Sequence, residues 1–93
     1  MPLPRLELFV RECTPAGRAA RVHVERFCRE TLRGAVELTV TDMDRHPEAV
    51  RSSGVLLAPL LLRRSDLGER RVFGDFSDPE ATARALGLDE VPA

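Results

Sequence analysis

The sequence predicts an α/β domain built on a mixed, four-stranded sheet flanked by helices. Three observations carry that prediction. A short apolar run, Leu6 to Val10, is followed by a long amphipathic stretch and then by an alternating run from Val36 to Met43, the pattern of a β-α-β unit. The second half holds two short β-prone runs close enough to pair as a hairpin. A final helical pattern closes the chain. The 93 residues suffice for one modest core, so residues 1–93 are read as a single domain.

Leu6-Glu7-Leu8-Phe9-Val10 reads as a buried strand. Thr14 is a good helix cap, and Pro15 suits the first helical position because its missing N–H would be unpaired there anyway. The helix is expected to run to about Leu32, with Ala20, Val24, Phe27, Cys28 and Leu32 on one face. Arg21 with Glu25, Glu25 with Arg29, and Arg26 with Glu30 sit four apart on the other side. Gly34 is a helix stop. Val36 to Met43 is the clearest strand, and with the first strand it calls for a parallel pair and a right-handed crossover. Asp44 to Ser53 holds a short helix ended by Gly54. Pro59 cannot donate to a ladder, so Leu60-Leu61-Leu62 starts a new strand after it. A loop from Ser65 to Glu69 leads to Arg70–Gly74 as the hairpin partner. Ser77-Asp78-Pro79-Glu80 opens a last helix to about Leu86, with Gly87 as its stop. The order β-α-β-α-β-β-α, packed as one sheet with helices on both faces, is the thioredoxin-like plan.

Composition excludes several classes. Hydrophobic residues make up 43% and charged residues 31%, which is globular and argues against wholesale disorder. A net charge of -1 and the lack of Trp and Tyr leave neither an electrostatic match nor a stacking platform for nucleic acid. No apolar run reaches the length of a membrane span, and the start resembles no signal peptide, so a cytoplasmic chain with reduced thiols is expected. His23 and His46 lie far apart with no ligand rhythm around them, and Gly-rich phosphate loops are absent, so no metal and no cofactor is expected. Asp42, Asp44 and Glu48 are read as caps of the short helix.

Four pieces then stand in order. They are Leu8-Phe9-Val10 with Thr14-Pro15, Val40-Thr41-Asp42 with His46-Pro47, Leu57-Ala58-Pro59-Leu60, and Arg70-Arg71-Val72-Phe73-Gly74-Asp75-Phe76-Ser77-Asp78. At this spacing, from about Leu6 to Leu88, the chain resembles the KaiB family of circadian-clock proteins. The resemblance implies a non-enzymatic partner protein in circadian or stress signalling. Family members bind the ring ATPase KaiC, sequester KaiA in full clocks, and compete with a sensor histidine kinase carrying a KaiB-like domain. It also implies fold switching between a tetrameric ground-state fold, βαββααβ, and a monomeric thioredoxin-like form that binds KaiC, which is the form expected here. The chain is expected to be a monomer or to self-associate. Where clock members carry a proline-rich loop before the Arg-Arg strand, this chain has Asp66-Leu67-Gly68.

The resemblance and the residues together nominate a binding surface. Glu37 and Thr39 lie on the polar side of the alternating strand, whose edge pairs with a partner strand in the family. Arg63, Arg64, Arg70 and Arg71 are expected to cluster across the hairpin as a positive patch. Of these, Arg63, Arg70 and Arg71 match basic positions that help contact the KaiC ring. The plain alternative is cross-strand pairing with Asp66 or Glu69. Arg18, early in the first helix, is a further candidate. Pro59 aligns with the structural cis-proline of thioredoxin-like folds. The alternative function is a monothiol thioredoxin- or glutaredoxin-like redox protein using Cys13, whose thiol pKa a helix N-terminus would lower.

Overall fold

The structure, a computed structural model, describes residues 3–55, 57–65 and 68–88. In chain order it holds β1 (Arg5–Val10), α1 (Pro15–Arg26), β2 (Glu37–Asp42), α2 (Pro47–Ser53), β3 (Leu60–Ser65), β4 (Gly68–Phe73) and α3 (Pro79–Leu86). The sheet order is β2-β1-β3-β4, with β1 and β2 parallel and the two remaining pairings antiparallel. This is the βαβαββα order expected from the sequence, and the ground-state arrangement βαββααβ is not the one adopted.

β1 lies inside the sheet and is buried on both sides. Leu6, Leu8 and Val10 meet Ala20, Val24 and Phe27 of the α1 segment, Leu61 of β3 and Leu86 of α3. Phe9 points the other way, into a smaller cluster with Val55, Leu60, Leu62 and Met43. Each fully buried Leu, Val and Phe among them contributes roughly 1.5–3 kcal/mol relative to exposure. On this second face α2 itself contributes no buried residue.

Helix α1 begins as its sequence requires. Thr14 is extended, its Oγ1 accepts from the Gly17 N–H at 3.0 Å, and Pro15 follows it. Gly17 has a second task, since a Cβ there would stand 2.1 Å from the Arg11 carbonyl oxygen, so only glycine lets the helix leave β1 this closely. The expected α-helix to Leu32 stops at Arg26 and widens into a π turn over Phe27–Thr31, where the Leu32 N–H reaches the Phe27 carbonyl at 3.2 Å. The wider turn points Phe27 and Cys28 both into the core. The ion pairs Arg21–Glu25 and Arg26–Glu30 form at 3.6 and 3.7 Å. Glu25 is held by Arg21, and among the described residues no pair joins it to Arg29.

Two other expectations are corrected. The predicted loop Ser65 to Glu69 is mostly strand, because β3 runs on to Ser65 and β4 starts at Gly68; Asp66 and Leu67 lie outside the described residues. Asp42, Asp44 and Glu48 do not cap α2, whose cap residue His46 makes no side-chain capping bond. Asp42 instead accepts from the Asp44 N–H and pairs with Arg45, while Asp44 turns toward Arg11 and Cys13. The last helix is capped by Asp78, which accepts from the Glu80 and Ala81 N–H groups. Before it, Phe76 is buried at a φ of 60°, a conformation that costs an L-residue energy and is offset here by core burial. The Asp75 carboxylate holds that turn by accepting from the Ser77 N–H and hydroxyl.

Candidate interaction surface

β2 is an outer strand, and its inner ladder identifies which backbone groups face outward. The Glu37 N–H donates to the Pro4 carbonyl at 2.9 Å and the Met43 N–H to the Val10 carbonyl at 2.8 Å. Alternate residues of a parallel strand face the same neighbour, so Leu38, Val40 and Asp42 turn their N–H and C=O groups to the open side. The Asp42 carbonyl is occupied by the Arg45 and His46 N–H groups. Glu37 and Thr39 are exposed, while Leu38 and Val40 are half-buried against the α1 side. The alternation seen in the sequence breaks at Thr41, which is buried with its hydroxyl donating to Glu7 at 3.0 Å.

The hairpin arginines do not form one patch. Pleating divides them between the two faces of the sheet. Arg63 and Arg70 are cross-strand partners on the α3 side. The Arg63 Nη1 donates to the Leu86 carbonyl at 2.7 Å, and the Arg70 guanidinium lies 3.0 Å from where a Cβ of Gly87 would be. Both cations therefore sit at the negative end of the α3 dipole. The Arg63 Nε is buried and has no hydrogen-bond partner among the described residues. Arg64 and Arg71 project from the other face. There Arg64 pairs with Glu7 at 3.4 Å and with Glu69 at 3.9 Å, and Arg71 pairs with Glu69 at 3.4 Å. Arg71 also donates to the Ser53 carbonyl at 2.7 Å, linking β4 to the end of α2. Thr41, Glu7, Arg64, Glu69 and Arg71 thus form a polar chain across all four strands.

Arg18 is exposed on α1, with its Nη1 3.2 Å from the Glu12 carbonyl. The nominated residues therefore occupy separate places: Glu37 and Thr39 on one edge, Arg70 and Arg71 on the other, Arg63 between them, and Arg18 on a helix. The Ala58-Pro59 peptide is cis. Beside it lies an apolar hollow lined by Ala16, Ala19, His23, Leu57, Pro59 and Phe73 that sequence reading missed. Leu57 is 65% and Phe73 57% exposed. The available signal was register, because Phe73 shares a strand side with Glu69 and Arg71 and so points away from the α3 core.

Cys13 is exposed at the start of α1, but its thiol donates to the Asp44 carboxylate at 3.2 Å. That hydrogen bond, with some burial and the carboxylate charge, raises the thiol pKa, reversing the lowering that a helix N-terminus alone would give. Asp44 is correspondingly held below its ordinary value by the Cys13 thiol and by Arg11. Burial pushes the Cys28 thiol up to about 11. Among the described residues no group of His, Cys, Asp and Glu could hold a metal ion, and no helix is long and apolar enough to cross a membrane.

Over 84 residues the chain is 30% identical to the circadian clock oscillator protein KaiB of Synechococcus elongatus, covering 90% of this chain and 80% of that protein. The chain belongs to the KaiB family. KaiB of a second Synechococcus strain matches to the same extent. No protein-family model matches. Among solved structures, the N-terminal domain of SasA from Synechococcus elongatus superposes with a TM-score of 0.64 at 18% identity, covering 100% of this chain and 91% of that one. A thioredoxin variant from Halobacterium salinarum reaches a TM-score of 0.73 at 20% identity, covering 96% and 78%. These likenesses establish the thioredoxin-like fold of this KaiB-family chain.

Proposed function

We propose that this chain is a non-catalytic, cytoplasmic interaction module that binds a KaiC-like ATPase ring or acts with a sensor histidine kinase in circadian or stress signalling. The observation that carries the reading is the open β2 edge on a KaiB-family chain. Leu38 and Val40 offer N–H and C=O groups to a partner strand, and Glu37 and Thr39 flank them for specificity. Arg18 and Arg70 supply exposed cations for acidic loops of the partner. Arg71 and Arg63 act mainly through the chain itself, by holding β4 to α2 and to α3.

Fold switching belongs to this proposal as its finer part. The light packing of α2 supports it, since this helix contributes no buried residue and could be rebuilt with little loss of its own packing. The thiol chemistry of Cys13 is outside the proposed function, in keeping with a thiol pKa raised by Asp44.

Capture of a purified KaiC-like ring by the immobilised chain tests the reading. Cys13→Ser is expected to retain capture, and Arg70→Glu to weaken it. Reduction of a mixed disulfide by the wild-type chain, lost in Cys13→Ser, would refute the non-catalytic assignment.

A further inference from the structure

Where β1 begins and β3 ends, the sheet carries a hollow of about 440 Å³ lined by Leu3, Pro4, Arg5, Glu37, Arg63 and Arg64. Three arginines face a single acid there. We propose that this hollow binds a small phosphate monoester, with the arginines holding the phosphoryl group and Leu3 and Pro4 lying against the organic part of the ligand. The site uses none of the outward backbone groups of Leu38 and Val40, so it stands or falls apart from strand docking.

Positive charge is left uncompensated at this end of the sheet. Arg5 and Arg64 stand directly opposite each other in the antiparallel β1–β3 pair. Residues so placed have Cβ atoms roughly 5 Å apart, and like charges there repel. Arg64 is answered by two long ion pairs, to Glu7 at 3.4 Å and to Glu69 at 3.9 Å. Arg5 is exposed and forms no ion pair among the described residues, although Glu37 is its neighbour in β2. An anion between the two guanidinium groups turns their repulsion into shared attraction.

Arg63 reaches the hollow from the other side. Pleating sets it on the α3 face, while Arg5 and Arg64 project from the opposite one. Its Nη1 is anchored on the Leu86 carbonyl at 2.7 Å, and its buried Nε has no partner among the described residues. A buried donor without a partner is the kind of group that an ion satisfies. A guanidinium already held at one end also loses little freedom when a ligand arrives.

This arrangement selects the shape of the anion. Cations that reach one hollow from both faces of a sheet do not share the plane of a carboxylate. A phosphoryl group presents oxygens in tetrahedral directions and accepts forked bonds from arginines on more than one side. Leu3, 46% exposed, and Pro4 form an apolar lip that suits the organic part of a monoester better than a bare ion. Glu37 stands against the anion and limits its affinity.

Titration of the full chain followed by amide NMR, at fixed ionic strength, is the test, with phenyl phosphate, inorganic phosphate and benzoate as probes. Phenyl phosphate is expected to give saturable shifts at Arg5, Glu37, Arg63 and Arg64. Inorganic phosphate should shift the same residues with lower affinity, and benzoate should bind most weakly. Arg5→Gln and Arg64→Gln, each shown to be folded by circular dichroism, are expected to weaken phenyl phosphate binding by roughly fivefold or more. Glu37→Gln is expected to tighten it. Arg29→Gln removes the same charge outside the hollow and should leave the affinity unchanged. Shifts that never saturate, an equal loss in Arg29→Gln, or benzoate binding as tightly as phenyl phosphate would each overturn the proposal. Inorganic phosphate binding as tightly as phenyl phosphate would overturn the monoester assignment.

Discussion

β2 and β4 are both outer strands of six residues, yet they expose opposite chemistry. β4 carries Arg70 and Arg71 side by side, with Glu69 before them, and Arg71 is tied across to the end of α2. Antiparallel self-pairing centred on either arginine would set arginine against arginine, so this edge is guarded against adding a strand. β2 has no cation and no proline between Glu37 and Asp42. It is therefore the edge on which strand addition meets no electrostatic or steric bar. The contrast shows how one small sheet can leave one edge open to strand addition while guarding the other.

The largest expected effect comes from proline in β2, where adjacent positions should behave differently. Thr39→Pro removes an N–H from the inner ladder and should lower stability by about 1–3 kcal/mol, read by urea unfolding. Val40→Pro removes an outward N–H, should leave the inner ladder intact, and should abolish strand docking. Equal loss of stability in both variants would show that the outward assignment is wrong.

Next in size is the tie that holds the guarded edge. Arg71→Ala removes the bond to the Ser53 carbonyl and the pair with Glu69, and should cost about 1 kcal/mol, since the guanidinium is partly exposed. Amide hydrogen exchange should rise at β4 and at the end of α2 while β2 is unchanged. A comparable effect is expected from Thr41→Val beneath the open edge. It removes the hydrogen bond to Glu7 and should cost about 1 kcal/mol. A neutral outcome would mean that the polar chain across the sheet adds no stability.

The smallest effect concerns the end of β2, where Asp44 receives Arg11 and Cys13. Because the carboxylate raises the Cys13 pKa, Asp44→Asn should increase the thiolate fraction at neutral pH and speed alkylation of Cys13. The Asp44 pKa is lowered in the folded chain, so its small contribution to stability is present above the unfolded carboxylate value and fades as the pH falls through the folded one. Acid titration of wild type against Asp44→Asn by circular dichroism reads that difference. A rate of alkylation unchanged in the variant would refute the contact.

Much of the frame was legible because it is encoded locally. The apolar run at Leu6–Val10, the cap at Thr14-Pro15, the alternation from Val36, and the stops at Gly54 and Gly87 each act within a few residues of where they stand. The exposure of Glu37 and Thr39 on β2 was legible for the same reason, but the burial of Thr41 was not, because it depends on Glu7 across the ladder. The arginines were misread as one patch because sequence proximity in a hairpin says nothing of which pleat a residue occupies. The π turn at Phe27 was also hidden, since its pattern of apolar residues is that of an α-helix until the core demands that neighbours point the same way.

By itself, then, the sequence determined the element order, the caps of α1 and α3 and the family, because hydrophobic period and turn chemistry are local properties of the chain. Only the tertiary structure decided which edge is open, where each arginine goes and what becomes of the Cys13 thiol. Those outcomes depend on hydrogen bonds and charges between residues far apart in sequence, such as Cys13 with Asp44 and Arg71 with Ser53, which no local pattern specifies.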